Sequence, residues 1–149
     1  MPKFSFQMDV RDPPEQVMAK MLDFSERRPE IWPILSARQY RVHALGPGNT
    51  ADVTEGSVFA GLKTWERVTY ERTDSVVRMV VLDGNIYLPG GTLEFRVEPH
   101  GDGTRITNDY ERQTKTLLGK CVGAVLQLTG GAPIKRSFRK VYGGLGSDG

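Results

Sequence analysis

Cysteine, histidine and long apolar runs are all scarce in this 149-residue chain, and each scarcity excludes something. Cys121 stands alone, so no intrachain disulfide forms, which fits a reducing compartment. His43 and His100 are the only histidines and share no ligand spacing with Cys121 or the carboxylates, so neither a metal nor a cofactor is expected. No apolar stretch approaches the roughly 20 residues that cross a bilayer. The Met1-Pro2-Lys3-Phe4 start lacks the charged-then-apolar layout of a secretory signal. A soluble, cytoplasmic protein is expected, acting as a monomer or homodimer without stable membrane insertion. The sequence also has no G-x-S-x-G elbow, no G-x-x-x-x-G-K phosphate loop and no G-x-G-x-x-G turn, which removes the hydrolase and nucleotide readings.

Acidic residues are missing from one end. Residues 1–112 carry 14 basic and 17 acidic side chains, whereas residues 113–147 carry six basic and no acidic ones. Lys115, Lys120, Lys135, Arg136, Arg139 and Lys140 make that segment locally cationic and able to meet phosphates. The plainer account is a solvated helix face, and no nucleic-acid partner is expected.

What is present is periodicity. Phe4, Phe6, Met8 and Val10 alternate with polar residues and predict a strand over 3–10. Asp12-Pro13-Pro14-Glu15 then offers an N-cap carboxylate and a proline for a first helical turn, and Val17, Met18, Met21, Leu22 and Phe24 recur at helical spacing over 13–24. A short second helix around 26–33 presents Ile31 and Trp32 inward before Pro33 stops it. Turn chemistry such as Gly46-Pro47-Gly48-Asn49, Pro89-Gly90-Gly91 and His100-Gly101-Asp102-Gly103 separates extended runs at 38–45, 50–55, 57–72, 76–83, 92–99 and 104–112. With the first strand this gives about seven, in an antiparallel meander. Beyond Gln113 the helical period returns, with Leu117, Leu118, Cys121, Val122, Val125, Leu126 and Leu128 as a broad apolar stripe. Gly130-Gly131 and Pro133 predict a kink or restart in this long closing helix, and 143–149 is expected to fray.

Strand, helix, short helix, about six strands and a long helix make one α+β domain over 1–149, a curved sheet wrapped around the final helix. The segment Asp23-Phe24-Ser25-Glu26-Arg27-Arg28-Pro29-Glu30-Ile31-Trp32-Pro33, the strand Thr64-Trp65-Glu66-Arg67-Val68, the hairpin from Gly91 to Thr107 and the closing helix carry a resemblance. Over roughly residues 3–142 the chain resembles the START-like superfamily, also described as the Bet v 1-like helix-grip fold or SRPBCC, and in particular its bacterial polyketide cyclase/dehydrase-like branch. The resemblance implies a deep, mostly hydrophobic cavity between sheet and helix that binds lipids, polyketides or other apolar molecules. Some members are enzymes, and many are carriers or sensors.

Polar residues interleaved with apolar ones are the candidates to orient a ligand there: Glu66 and Tyr70 around Val68, Arg78 between Val76 and Val80, and Asn108 and Tyr110 beyond Ile106. For Glu66 and Arg78 a second arrangement stands beside this one, in which they pair across neighbouring strands on the outer surface. Trp32 and Tyr87 fall in segments expected to cover the cavity mouth, while Phe95, Leu118, Val122 and Leu126 are expected to line the apolar wall. Cys121 is expected to be a small buried hydrophobe rather than a nucleophile. No catalytic residue is specified. The expected function is binding or transport of a hydrophobic small molecule, with a polyketide cyclase/aromatase-type enzyme and a docking module using the basic C-terminal helix as alternatives.

Overall fold

Alternation of apolar and polar side chains builds most of this protein, which a computed structural model describes over residues 3–59 and 61–143. Seven antiparallel strands form one sheet: β1 (Lys3–Val10), β2 (Arg41–Gly46), β3 (Thr50–Phe59), β4 (Leu62–Thr73), β5 (Val76–Gly84), β6 (Thr92–His100) and β7 (Gly103–Glu111). Their order is β1-β7-β6-β5-β4-β3-β2, so the chain runs as a meander except that β1 closes onto β7. The period of two sends Met8 and Val10, Val68 and Tyr70, Val77 and Met79, Phe95 and Val97, and Ile106 and Tyr110 to one buried face. In the β6–β7 hairpin His100 pairs with Gly103, and Gly101 takes the positive φ of 57° that the tight reversal needs.

Four helices cover the buried face: α1 (Pro14–Met21), α2 (Arg28–Ile31), α3 (Leu117–Leu128) and α4 (Ala132–Tyr142). Val17, Met18 and Met21 of α1 are buried, each contributing roughly 1.5–3 kcal/mol through burial. Asp12 is not the expected cap. The helix begins beyond a second proline, Pro13 occupies the cap position, and the Asp12 carboxylate instead receives Lys20 Nζ at 2.6 Å. The expected strands 50–55 and 57–72 divide elsewhere. Gly56 lies inside β3, opposite Trp65, and the chain reverses between Phe59 and Leu62. A Cβ on Gly56 would meet Gln39 Oε1 at 2.5 Å, so this glycine marks a close approach and not a turn.

The closing helix is two helices, bent by 70° between α3 and α4. Gly131 at φ 77° makes the corner, and a Cβ there would meet the Phe6 ring at 2.5 Å. Thr116 caps α3 by accepting the Gly119 amide at 2.9 Å. The α4 end is tied down: Arg11 N donates to Gly143 O and Asp12 N to Tyr142 O, each at 3.0 Å, and Lys20 Nζ donates to Val141 O at 2.8 Å. Phe138 and Tyr142 meet Trp32 edge-on at 5.4 and 5.3 Å between ring centroids.

The broad apolar stripe expected on the first half of this helix is split, with Val122 and Leu126 facing the cavity and most of the rest exposed. Gly119, Gly123 and Leu126 are the buried positions of α3, while Leu117 and Leu128 are 79% and 87% exposed and Cys121 is exposed too. A Cβ on Gly119 would meet Ile86 Cγ2 at 2.5 Å, so the helix backbone comes close there. Among the described residues no single helix is long and apolar enough to cross a membrane. Apart from Gly143, the expected frayed tail at 143–149 lies outside the described residues.

Candidate functional site

Sheet and helices do not fill the space between them. A cavity of about 280 Å³ remains, walled by Met21 and Trp32, by Met79, Leu93 and Phe95 from the sheet, and by Val122, Leu126, Ile134 and Phe138 from the closing helices. Most of the wall is apolar, and two buried ion pairs cross it.

The first pair begins with Arg28, whose Nη2 lies 3.3 Å from Glu55 Oε1. Arg28 is held from several sides: Nη1 donates to Met21 O and Asp23 O, both at 2.9 Å, and Nη2 donates to the Tyr70 hydroxyl at 3.2 Å. Its guanidinium lies 4.6 Å from the Phe24 ring centroid. Tyr70 in turn donates to Glu55 Oε1 at 2.7 Å. Burial, and then the neighbouring Glu55 charge, pushes the Tyr70 phenol well above its ordinary pKa, so it remains a donor.

The second pair is Arg112 with Glu66, bridged at 3.0 and 3.2 Å through both guanidinium Nη atoms. Arg112 also stacks over Tyr87, 4.6 Å from the ring centroid. Burial pushes the Glu66 carboxyl above the usual carboxylate range, Arg112 pulls it back, and Glu55 adds to the rise. Burial works most strongly against the charge on Arg112, yet Glu66, Tyr87 and Tyr110 together outweigh it and hold the guanidinium above its ordinary value. Glu55 and Glu66 are register partners on β3 and β4, so the two pairs join into one belt.

Of the residues singled out from the sequence, Trp32, Glu66, Tyr70, Tyr87, Phe95, Tyr110 and Val122 come together on this wall. Trp32 is anchored on this wall, its Nε1 donating to Lys20 O at 3.0 Å. Three residues lie elsewhere. Arg78 is on the outer face, 3.6 Å from Glu94, because β5 turns Val77 and Met79 inward; the alternative pairing of Glu66 with Arg78 fails for the same reason, Glu66 being inside. Asn108 is on the inner face and 1% exposed, but off the cavity wall, where its register partners are Phe6 and Phe95. Leu118 is 40% exposed on the outward side of α3.

Sequence reasoning misses Arg28, Glu55 and Arg112. Period two offers the latter two: Glu55 continues Ala51 and Val53, and Arg112 continues Ile106, Asn108 and Tyr110. Arg28 gives no such signal, standing only as the residue before Pro29. His100 belongs to a surface cluster with Asp9 and Arg105, and no group of three or more His, Cys, Asp or Glu among the described residues is arranged to hold a metal ion. The basic segment is partly engaged by the protein itself: Lys115 lies 3.7 Å from Asp83 and Lys135 5.6 Å over the Phe6 ring.

A sheet gripping a two-part closing helix, with an apolar cavity between, defines a protein of the helix-grip, START-like class. The family described as polyketide cyclase/dehydrase and lipid transport matches residues 1–145, and the chain belongs to it. Solved structures agree on the fold. A protein from Thermus thermophilus is 16% identical, with a TM-score of 0.74 over 95% of this chain and 94% of its own. A START superfamily protein from Mycobacterium smegmatis is 16% identical, with a TM-score of 0.70 over 93% of this chain and 98% of its own. The Zhui aromatase/cyclase from a Streptomyces species is 16% identical, with a TM-score of 0.66 over 96% of this chain and 98% of its own. No curated relative matches the chain in sequence.

Proposed function

We propose that this protein binds and carries, or senses, a hydrophobic small molecule held in the cavity between sheet and closing helices. One observation carries the reading: a cavity of about 280 Å³ whose wall is mostly apolar and crossed by a polar belt, the usual form of a small-molecule site. Family membership supports the same ligand class. A single cysteine suits a reducing, cytoplasmic setting. Native mass spectrometry of the purified protein, after exposure to a lipid and metabolite extract of its source, is the test. The expected result is a stoichiometric apolar adduct that is released on denaturation. A crystal structure with a solid interior, together with no adduct, sinks the reading.

Glu66 favours a second reading, an enzyme of the cyclase or dehydratase type. Its carboxyl lines the cavity, and burial raises its pKa above the usual carboxylate range, the direction that favours a general acid. Tyr70 and Tyr110 lie on the same wall as hydrogen-bonding hydroxyls. On this reading Glu66→Gln abolishes turnover of a poly-β-ketone substrate while binding persists, and the released adduct has lost water. An adduct released unchanged from the wild-type protein rejects it.

A further inference from the structure

α3 turns more aliphatic side chains to solvent than it buries. Leu117, Cys121, Ala124 and Leu128 fall at i, i+4, i+7 and i+11 and are all exposed, so they form one stripe along the helix, with Leu118 and Val125 beside it. A lone exposed leucine needs no explanation, but a continuous aliphatic stripe marks a surface that something covers. Lys120 is the only charged side chain of α3; it is exposed and stands at the border of the stripe. No acidic residue occurs from Gln113 to Ser147, so every charge that the closing segment carries is positive. The stripe also reaches the cavity. Val125 and Ile34 line the wall yet are each about half exposed, so the cavity opens beside the outward face of α3.

We propose that the outward face of α3 docks on an anionic lipid bilayer and lies flat in its interface, with the mouth of the cavity beside the lipid. The charge pattern chooses this occupant. A second copy of the chain would bring two wholly cationic segments together, and like charges across an interface oppose association. A protein partner is anchored as a rule by Trp, Tyr or Arg, and α3 has none of them. Leucines along one face with lysine at the edge are the composition of a helix that rests in a headgroup layer, and anionic lipids supply the negative charge that the closing segment lacks. Twelve helical residues are about 18 Å long against a hydrocarbon core of about 30 Å. α4 leaves at 70° with Phe138 and Tyr142 buried, so α3 rests on the bilayer and does not cross it. The docking stands on this surface alone and does not require that the cavity hold a ligand.

Flotation of the whole chain with phosphatidylcholine vesicles, with and without phosphatidylglycerol, tests this. Wild-type protein is expected to float with the anionic vesicles at low salt, to be released as salt rises, and to ignore pure phosphatidylcholine. Leu117→Gln combined with Leu128→Gln removes two largely exposed leucines and is expected to weaken binding about a hundredfold. Lys120→Glu is expected to weaken it more than tenfold. Cys121, the only thiol, lies in the middle of the stripe, so an environment-sensitive fluorophore attached there is expected to shift to the blue on anionic vesicles, a readout that serves if the leucine pair does not fold. Absence of binding to either vesicle overturns the inference, as does binding that neither the leucine pair nor Lys120→Glu changes. An unshifted label on vesicle-bound protein overturns it by placing the contact on another surface. A wild-type dimer in light scattering that the leucine pair splits into monomers, without vesicle binding, overturns it in favour of a second copy.

Discussion

The two halves of the closing segment solve the same packing problem in opposite ways. α4 buries aromatic side chains, Phe138 and Tyr142, against Trp32 and Phe95, and its last carbonyls are bonded to the chain after β1 and to Lys20. α3 buries two glycines and Leu126 and leaves Leu117 and Leu128 in solvent. Large buried rings bring both area and shape complementarity, whereas a glycine contact brings the backbone close but removes little apolar surface from water. The lesson is that one end of the cavity has a firm wall and the other a thin one. α3 closes the thin end, where Gly119 lies against Ile86.

The largest expected effect comes from breaking the firm end. Phe138→Ala removes a ring that contacts Trp32, Phe95 and Tyr142, and is expected to cost about 3–5 kcal/mol in urea unfolding. A loss below about 1 kcal/mol would mean that α4 is not the anchor. Next, Gly131→Ala attacks the corner between the helices, combining φ 77° with the Phe6 ring in the way of the new Cβ, and about 2 kcal/mol should be lost. If that variant matches wild type, the corner is less constrained than its geometry requires. Hydrogen exchange sharpens the contrast without mutation: amides of α3 should exchange about tenfold faster than those of α4, and a bound ligand should slow α3 more. Equal protection in both helices would contradict the thin wall. The smallest effect is Leu128→Gln, at an 87% exposed position, where unfolding should shift by no more than about 0.5 kcal/mol. A large loss there would show that the residue is covered in solution.

The architecture is readable because the two periods that build it are local. Phe6, Met8 and Val10, or Ile106 and Tyr110, declare their face two residues at a time, and Gly130-Gly131 declares the corner. The outward face of α3 is not readable from hydropathy. Its leucines and valines mark the greasy side, but the side that packs is set by how near the helix backbone comes to Ile86, a tertiary distance carried by Gly119. Asn108 shows a related limit: its face is legible, but whether an inward residue meets a cavity or a neighbouring ring depends on what lies opposite. Of the belt only Glu66 and Tyr70 are visible in the sequence. Arg28 is not, since it reaches Tyr70 and Glu55 across the fold and nothing in the residues around Pro29 encodes that.

Trp32 and Trp65, the only two tryptophans in the chain, both stand on the wall of the same cavity. Trp32 is wedged edge-on between Phe138 and Tyr142 with its indole N–H held, and Trp65 sits on β4 beside Glu66. Because both indoles line the cavity, the emission spectrum of the unlabelled protein is a built-in gauge of whether it is full. The rigid Trp32 is suited to reporting through quenching, and the less buried Trp65 through a shift in colour.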